Sequence, residues 1–286
     1  MSHLIQNPKH KHYFENYISN EIIEYSEQDQ NTWHYLYTTQ TQNLQDLAHP
    51  KSLECLKELS LSEHYIPQLD EISQKLYKKT GWRIIRVEGL IEGDIFFQLL
   101  ANRVFPSTIY IRSNDEISLS KDPDIFHEIF GHCPLLLDAE YASLFEKFGS
   151  LGLRCDDRQR GFIQRLFWFT FETGLINTQN ELKIYGGSLL SSIEESRYAI
   201  KSDKAIRRPF NMLDIFRTPY RADLLQSVYY TVPDFSKLHT IFDDEDLIKK
   251  NIDIAYELEE FFPFFQIEEQ YAKYTSYNIC KGPTVV

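Results

Sequence analysis

Leu166–Ile176 (LFWFTFETGLI) is an almost wholly apolar and aromatic segment of helical character that carries a single carboxylate, Glu172. Such a helix belongs in a core, because its aromatic rings cover every side. Burial then creates a second demand. A carboxylate taken out of water without a partner is costly enough to shift its pKa or to acquire one. Any fold of this chain must therefore bring to Glu172 either a basic side chain, such as Arg165 or Arg197, or a cation held jointly with other ligands.

The rest of the chain is suited to building that core. With 42% hydrophobic residues over 286 positions it can bury a large interior, and 11 Gly and 11 Pro are few breaks for so long a chain. Long unbroken segments favour helices over a many-turned β architecture. The 20 Phe, 18 Tyr and 3 Trp supply bulky core, or the lining of a pocket. A formal net charge of −12 opposes the electrostatic attraction that dominates binding to nucleic acid and to anionic membranes, so neither is an expected partner. No apolar run reaches membrane-spanning length, and Met1–Lys11 lacks the apolar core of a secretory signal. Cys55, Cys133, Cys155 and Cys280 form no CxxC pair, which predicts reduced thiols and a cytoplasmic location.

Along the chain, residues 1–12 read as a mobile tail, whose His10 and His12 have too few neighbouring ligands to hold a metal. Helical spacing begins at Tyr13 with Phe14, Tyr17 and Ile18, then Ile22 and Ile23, and a further helix starts at Thr32. Short helical segments over Leu44–Leu61 break at Pro50, and Asp70–Thr80 predicts a helix stopped by Gly81, with Ile72, Leu76 and Tyr77 on one face. Trp82–Val87 and Thr108–Arg112 read as strands on either side of a helix over Asp94–Phe105. From Pro123 to Arg197 the pattern is helical, with breaks at Gly131/Pro134, Arg154–Arg160 and Asn177–Asn180. Asp243–Phe262 reads as a last helix ended by Pro263. No repeat and no Gly/Ser linker divides the chain, so one domain over residues 13–242, with 243–286 as a C-terminal helix and tail packed on it, is the simplest organisation.

Partners for Glu172 are available. His127 and His132 stand five apart in PDIFHEIFGHCPLL, and in an uninterrupted α-helix their rings would point about 140° apart. They converge if Gly131 ends the helix and reverses the chain, and Pro134 forbids its continuation. Two imidazoles and a carboxylate form the facial triad of non-haem Fe(II), which leaves positions open for oxygen and a co-substrate. Zinc is held by the same ligand set. Two histidines at a helix C-terminus, bonded to carbonyls, are the bland alternative.

These motifs together resemble the pterin-dependent aromatic amino acid hydroxylases, especially the bacterial phenylalanine 4-hydroxylases. PDIFHEIFGHCPLL is similar to that family's PD-x-x-HE-x-x-GH-x-P, and FWFTFETGL to its aromatic-WFT-x-E-x-GL, with the family's own gap of forty between His132 and Glu172. Tyr110–Arg112 (YIR) falls where the family has it, and YGGSLLSS at Tyr185–Ser192 resembles its YGAGLLSS. The resemblance implies a mainly α fold with a few short strands (α+β), a basket of helices around a non-haem iron site. It implies Fe(II) on His127, His132 and Glu172, a tetrahydropterin, and molecular oxygen as co-substrate. Glu128 would face the pterin as a catalytic residue, with Phe96 stacked on the cofactor and Gly89, Leu90 and Ile91 lining its edge. Arg112 would grip the substrate carboxylate, Trp168 would pack on the substrate ring, and Ser120, Thr173, Ser188, Ser191 and Glu195 would complete the substrate side. The implied reaction is ring hydroxylation of an aromatic amino acid, phenylalanine to tyrosine. Asp243–Phe262 lacks a sustained heptad seam, so a monomer or weak dimer is expected.

Several positions depart from that family's pattern. Thr173 stands for a Phe, Ser188 for a Gly, Cys133 for an aliphatic residue, and Asp94 lies where relatives often carry a base. These departures predict a wider and more polar pocket whose specificity extends to tryptophan or tyrosine. A zinc hydrolase using Glu128 to activate water, and a non-catalytic binding protein on the same fold, are the alternatives from other classes.

Overall fold

The computed structural model describes residues 22–178, 181–263 and Phe265. The N-terminal tail and the helix expected from Tyr13 lie outside the described residues, but Ile22 and Ile23 are not helical, and Ile22 is exposed. The first helix, α1 (Glu27–Leu47), begins five residues before the expected Thr32 because Ser26 forms a capping box with Asp29. It buries Trp33, whose indole N–H donates to the Ser62 carbonyl at 2.8 Å. Pro50 opens α2 (Pro50–Leu59) at a position where its missing N–H costs nothing. Gly81, at φ 81°, closes α3 (Leu69–Thr80) in the left-handed conformation that glycine adopts without strain. Ile72 and Leu76 are buried as expected. Tyr77 is not; it is half exposed and carries the Arg83 guanidinium over its ring at 3.6 Å.

Next come β1 (Arg83–Arg86), α4 (Gly93–Ala101) and β2 (Val104–Ser107), with the two strands parallel and Arg83 opposite Val104. The helix is shorter than Asp94–Phe105 because Arg103, at φ 56°, closes it. The second strand is displaced from the expected Thr108–Arg112, which forms no strand. Its backbone is used elsewhere: the Tyr110 carbonyl accepts the Ile125 N–H at 2.8 Å, and the Arg112 N–H donates to Asp124 at 2.8 Å. That substitution of partners ties Arg112 to the segment just before His127.

Beyond the histidines lie α5 (Ala139–Leu153) and α6 (Asp157–Phe167), the latter capped by Asp156 and Gln159. The helical pattern expected on either side of the break at Asn177–Asn180 is replaced by β3 (Leu175–Thr178) and β4 (Glu181–Ile184), an antiparallel pair. Their sheet is completed from far along the chain. After α7 (Gly187–Ser191) and α8 (Ile193–Lys201), β5 (Ile206–Pro209) and, beyond α9 (Met212–Arg217), β6 (Val228–Val232) give a four-stranded order β4-β3-β6-β5. Both β3 and β5 run parallel to β6, a fully buried strand. The C-terminal helix is two helices, α10 (Phe235–Asp243) and α11 (Glu245–Glu257), because Asp244 caps a fresh start by accepting the Leu247 N–H. Ile248, Ile252 and Ala255 of α11 join the same buried cluster as Trp33, Phe145 and Phe171. The fold is mainly helical with short strands, and no described helix is long and apolar enough to cross a membrane.

Candidate metal centre

The two segments that bear the candidate ligands are wound alike. His127–His132 and Trp168–Glu172 are π-helical, with the Cys133 N–H bonded to the Glu128 carbonyl at 3.2 Å and the Thr173 N–H to the Trp168 carbonyl at 2.8 Å. An i→i+5 turn brings residues five apart towards one face. His127 and His132 therefore converge by widening of the helix, not by the chain reversal expected at Gly131. Gly131 serves another purpose: a Cβ there would lie 2.5 Å from the Gly187 carbonyl, so its absence lets α7 settle against the histidines.

The His127 and His132 Nε2 atoms are 3.1 Å apart, and Glu172 Oε2 lies 3.2 Å from His132 Nε2 and 3.6 Å from His127 Nε2. Donors arranged about one ion at bond lengths near 2.1 Å stand about 3.0–3.4 Å from one another. Ser191 Oγ donates to the Gly187 carbonyl at 2.9 Å, so it accepts from His127 Nδ1, 3.1 Å away. That network assigns the His127 proton to Nδ1 and turns the Nε2 lone pair inward. Burial pulls the imidazole of His127 down to about 4, so it is neutral and ready to ligate. Burial alone would raise Glu172, but the neighbouring imidazoles, His132 first, and the Ser188 hydroxyl draw it below the usual carboxylate range. Neither arginine considered as its partner reaches it: Arg165 pairs with Glu260 at 2.5 Å, and Arg197 donates to Asn43 at 2.5 Å. A buried carboxylate, two imidazole nitrogens converging on it and no arginine between them fit a divalent cation.

Glu128 also offers an oxygen within 4.8 Å of both histidines. Burial, then the charges of Glu172 and Asp124, push its carboxyl well above the usual range. It opens onto a cavity of about 700 Å³ that reaches the metal centre from one side. Gly89, Leu90, Ile91 and Phe96 form one part of its wall, and Trp168 with Tyr220 another. A recess of about 90 Å³ adjoins it at His127, Trp168 and Glu172, lined by Arg112, Ser120, Ser188, Ser191 and Glu195. Arg112 is buried and bidentate to Asp124 (2.8 and 2.7 Å), with Nη1 left 3.5 Å from the Ser191 carbonyl. Ser120 Oγ donates to the Asp122 carbonyl at 2.6 Å.

Thr173 lines neither cavity. Its hydroxyl donates to the Trp168 carbonyl at 2.8 Å, closing the π-turn, so the expectation that it faces substrate is corrected. Cys133 is buried in the core, and Asp94 sits in the first turn of α4, where a carboxylate suits the helix N-terminus; neither is part of the cavity wall.

The sequence profile of the biopterin-dependent aromatic amino acid hydroxylases matches residues 8–267. The chain belongs to this family. It is 41% identical over 226 residues to the phenylalanine-4-hydroxylase of Pseudomonas aeruginosa, covering 79% of this chain and 86% of that one. The apo structure of the cold-active phenylalanine hydroxylase from Colwellia psychrerythraea 34H superimposes with a TM-score of 0.81 at 39% identity, over 90% of this chain and 98% of the other. The phenylalanine hydroxylase of Chromobacterium violaceum, in a structure with bound iron(III) and oxidised cofactor 7,8-dihydrobiopterin, gives 0.79 at 34% identity, over 86% and 88%.

Several residues of this hydroxylase escaped the reading of its motifs. Asp124 orients both sides of the site, binding Arg112 and accepting the His127 N–H at 2.9 Å. Its place in the PD dipeptide before His127 was the available signal. Tyr220 stacks on Trp168 with ring centroids 4.4 Å apart and planes 5° from parallel, and Gln226 accepts the Trp168 indole N–H at 3.1 Å. The Gln226 N–H and the Tyr229 hydroxyl donate to Glu195 at 3.0 and 2.9 Å. No local pattern marks these residues, which arrive from the segment leading into β6.

Proposed function

We propose that this enzyme is an iron- and tetrahydropterin-dependent monooxygenase that converts phenylalanine to tyrosine. The observation that carries the reading is the convergence of His127 Nε2, His132 Nε2 and Glu172 Oε2 within 3.1–3.6 Å at the meeting point of the two cavities. When bound, iron(II) and tetrahydropterin supply the activation of oxygen and the electrons that ring hydroxylation requires. His127, His132 and Glu172 would hold the metal. Phe96 and the backbone of Gly89–Ile91 present an aromatic face and polar edge suited to a pterin, and the Glu128 carboxyl opens onto the same cavity as a hydrogen-bonding group. Arg112, its fork aligned by Asp124, supplies a fixed positive charge for the amino acid carboxylate in the recess. Trp168 has one face covered by Tyr220, which leaves the other for the substrate ring.

Specificity is narrower than the departures from the family pattern suggest. Thr173 bonds back to its own turn, Cys133 is core, and the Ser188 hydroxyl is committed to Glu172 at 2.7 Å. Supplied with Fe(II), tetrahydropterin, oxygen and a mixture of aromatic amino acids, the protein should release tyrosine from phenylalanine at least about tenfold faster than it hydroxylates tryptophan, a preference of about 1.4 kcal/mol. Mass spectrometry of the products checks this, and no oxygen- and pterin-dependent product would sink the reading. The buried thiols of Cys55, Cys133 and Cys155 suit the reducing cytoplasm. The net charge of −12 gives no purchase to nucleic acid. Without a sustained heptad seam the chain acts as a monomer or weak dimer, and light scattering at micromolar concentration should return a mass near 33.9 kDa; a stable tetramer would contradict it.

A further inference from the structure

Helix α7 touches all three candidate ligands. The His132 ring lies against Gly187, where an added Cβ would meet the ring at 2.3 Å. Ser191 holds His127 through Nδ1 at 3.1 Å. One turn earlier, Ser188 Oγ donates to Glu172 Oε2 at 2.7 Å, and Oε2 is also the oxygen nearest both imidazoles. Ser188 and Ser191 therefore act on different ligands from one face of the same helix, and the spacing of three that places them together is set by α7 itself.

We propose that Ser188 is a positioning residue for the metal, whose hydroxyl turns Glu172 so that Oε2 alone is presented to the ion. This rests on the iron reading above. A carboxylate oxygen that accepts a hydrogen bond at 2.7 Å keeps a lone pair for a metal, but the carboxylate plane can no longer rotate freely. Without the hydroxyl, Glu172 has rotational freedom about its terminal bond and access to binding through both oxygens. Two effects oppose one another. The bond withdraws electron density from Oε2 and weakens it as a donor, while fixing the orientation removes the entropy cost of ordering the ligand. Loss of an outer hydrogen bond to a ligand ordinarily weakens metal binding about 10–100-fold, so orientation is the larger effect.

The test uses the full chain, with Co(II) as the probe because its visible bands report coordination number. Ser188→Ala should bind Co(II) about tenfold or more weakly than the parent in a calorimetric titration and should show altered visible bands, while its metal-free melting temperature stays within a few degrees. Ser188→Thr, which restores the hydroxyl, should recover both the affinity and the spectrum. Unchanged Co(II) affinity and spectrum in Ser188→Ala would overturn the role of Ser188. Failure of the Thr variant to recover either would also count against it. A parent that binds Co(II) with the expected dependence on Ser188 but hydroxylates no aromatic amino acid would overturn the hydroxylase reading alone, and a parent that binds no Co(II) would overturn both.

Discussion

Glu195 has its carboxyl pushed by burial from 4.5 to about 7, against the opposing bonds from Gln226 and Tyr229. The unfolded chain gives up that proton near pH 4.5, whereas the folded chain keeps it until about 7. Between those values the folded state binds more protons than the unfolded one, so the contribution of Glu195 to stability falls as pH rises through the window. The total loss is about 3 kcal/mol, and it is complete above about pH 7. Glu195→Gln keeps an acceptor for Gln226 and Tyr229 and cannot ionise. Denaturant unfolding from pH 4.5 to 8 should therefore show a flatter pH profile for the variant, with the variant gaining on the parent as pH rises. A parallel pair of profiles would show that Glu195 titrates normally.

The decisive elements are short. Two π-turns carry all three candidate ligands, and five-residue α7 packs its backbone directly against one of them. The closeness of that packing makes Gly187 the most sensitive position in the element, since a methyl group there would overlap the His132 ring. Gly187→Ala should displace His132 and lower Co(II) affinity at least about tenfold, with a stability cost of about 1–3 kcal/mol from overpacking. Titration with Co(II) alongside thermal melting separates the two effects, and a variant that binds Co(II) like the parent would show that α7 has room to withdraw. The winding of these turns also marks a boundary of what periodicity can reveal. A spacing of five placed His127 and His132 on different faces of an α-helix, and the convergence expected of them needed a break at Gly131. The helix instead widens, and α7 lies close against Gly131 and His132 where it does so.

At the scale of the whole molecule, the metal centre lies between segments that are distant in sequence, so metal binding and global stability are linked. A cation that binds the folded chain at a hundredfold excess over its Kd adds about 2.7 kcal/mol. Chelation of the iron-loaded protein should accordingly lower Tm by roughly 5–10 °C, reversibly on adding Fe(II) without oxygen. A melting curve indifferent to chelator would mean that no ion bridges His127, His132 and Glu172. The same long-range assembly explains the sheet. Leu175 and Ile176 of β3 pair with Thr231 and Val232 of β6, a partner more than fifty residues away, and the helical rhythm before Gly174 gave no hint of it.

What the sequence by itself determined is local and chemical. The lone carboxylate of an apolar helix, the paired histidines, the stop at Gly81, the break at Pro50 and the motifs of the family could all be read, because burial rhythm, turn preference and donor type depend on residues within a turn or two. The tertiary structure decided where the polar groups point. Thr173 stood out as a pocket hydroxyl, yet it bonds within its own turn; Ser188 lines the recess, and there its hydroxyl donates to Glu172. Arg112 was placed on a strand, yet it is aligned by Asp124 beside the metal centre. A short hydroxyl or a guanidinium takes the acceptor that another segment delivers, and that choice exists only after the core has closed around Glu172.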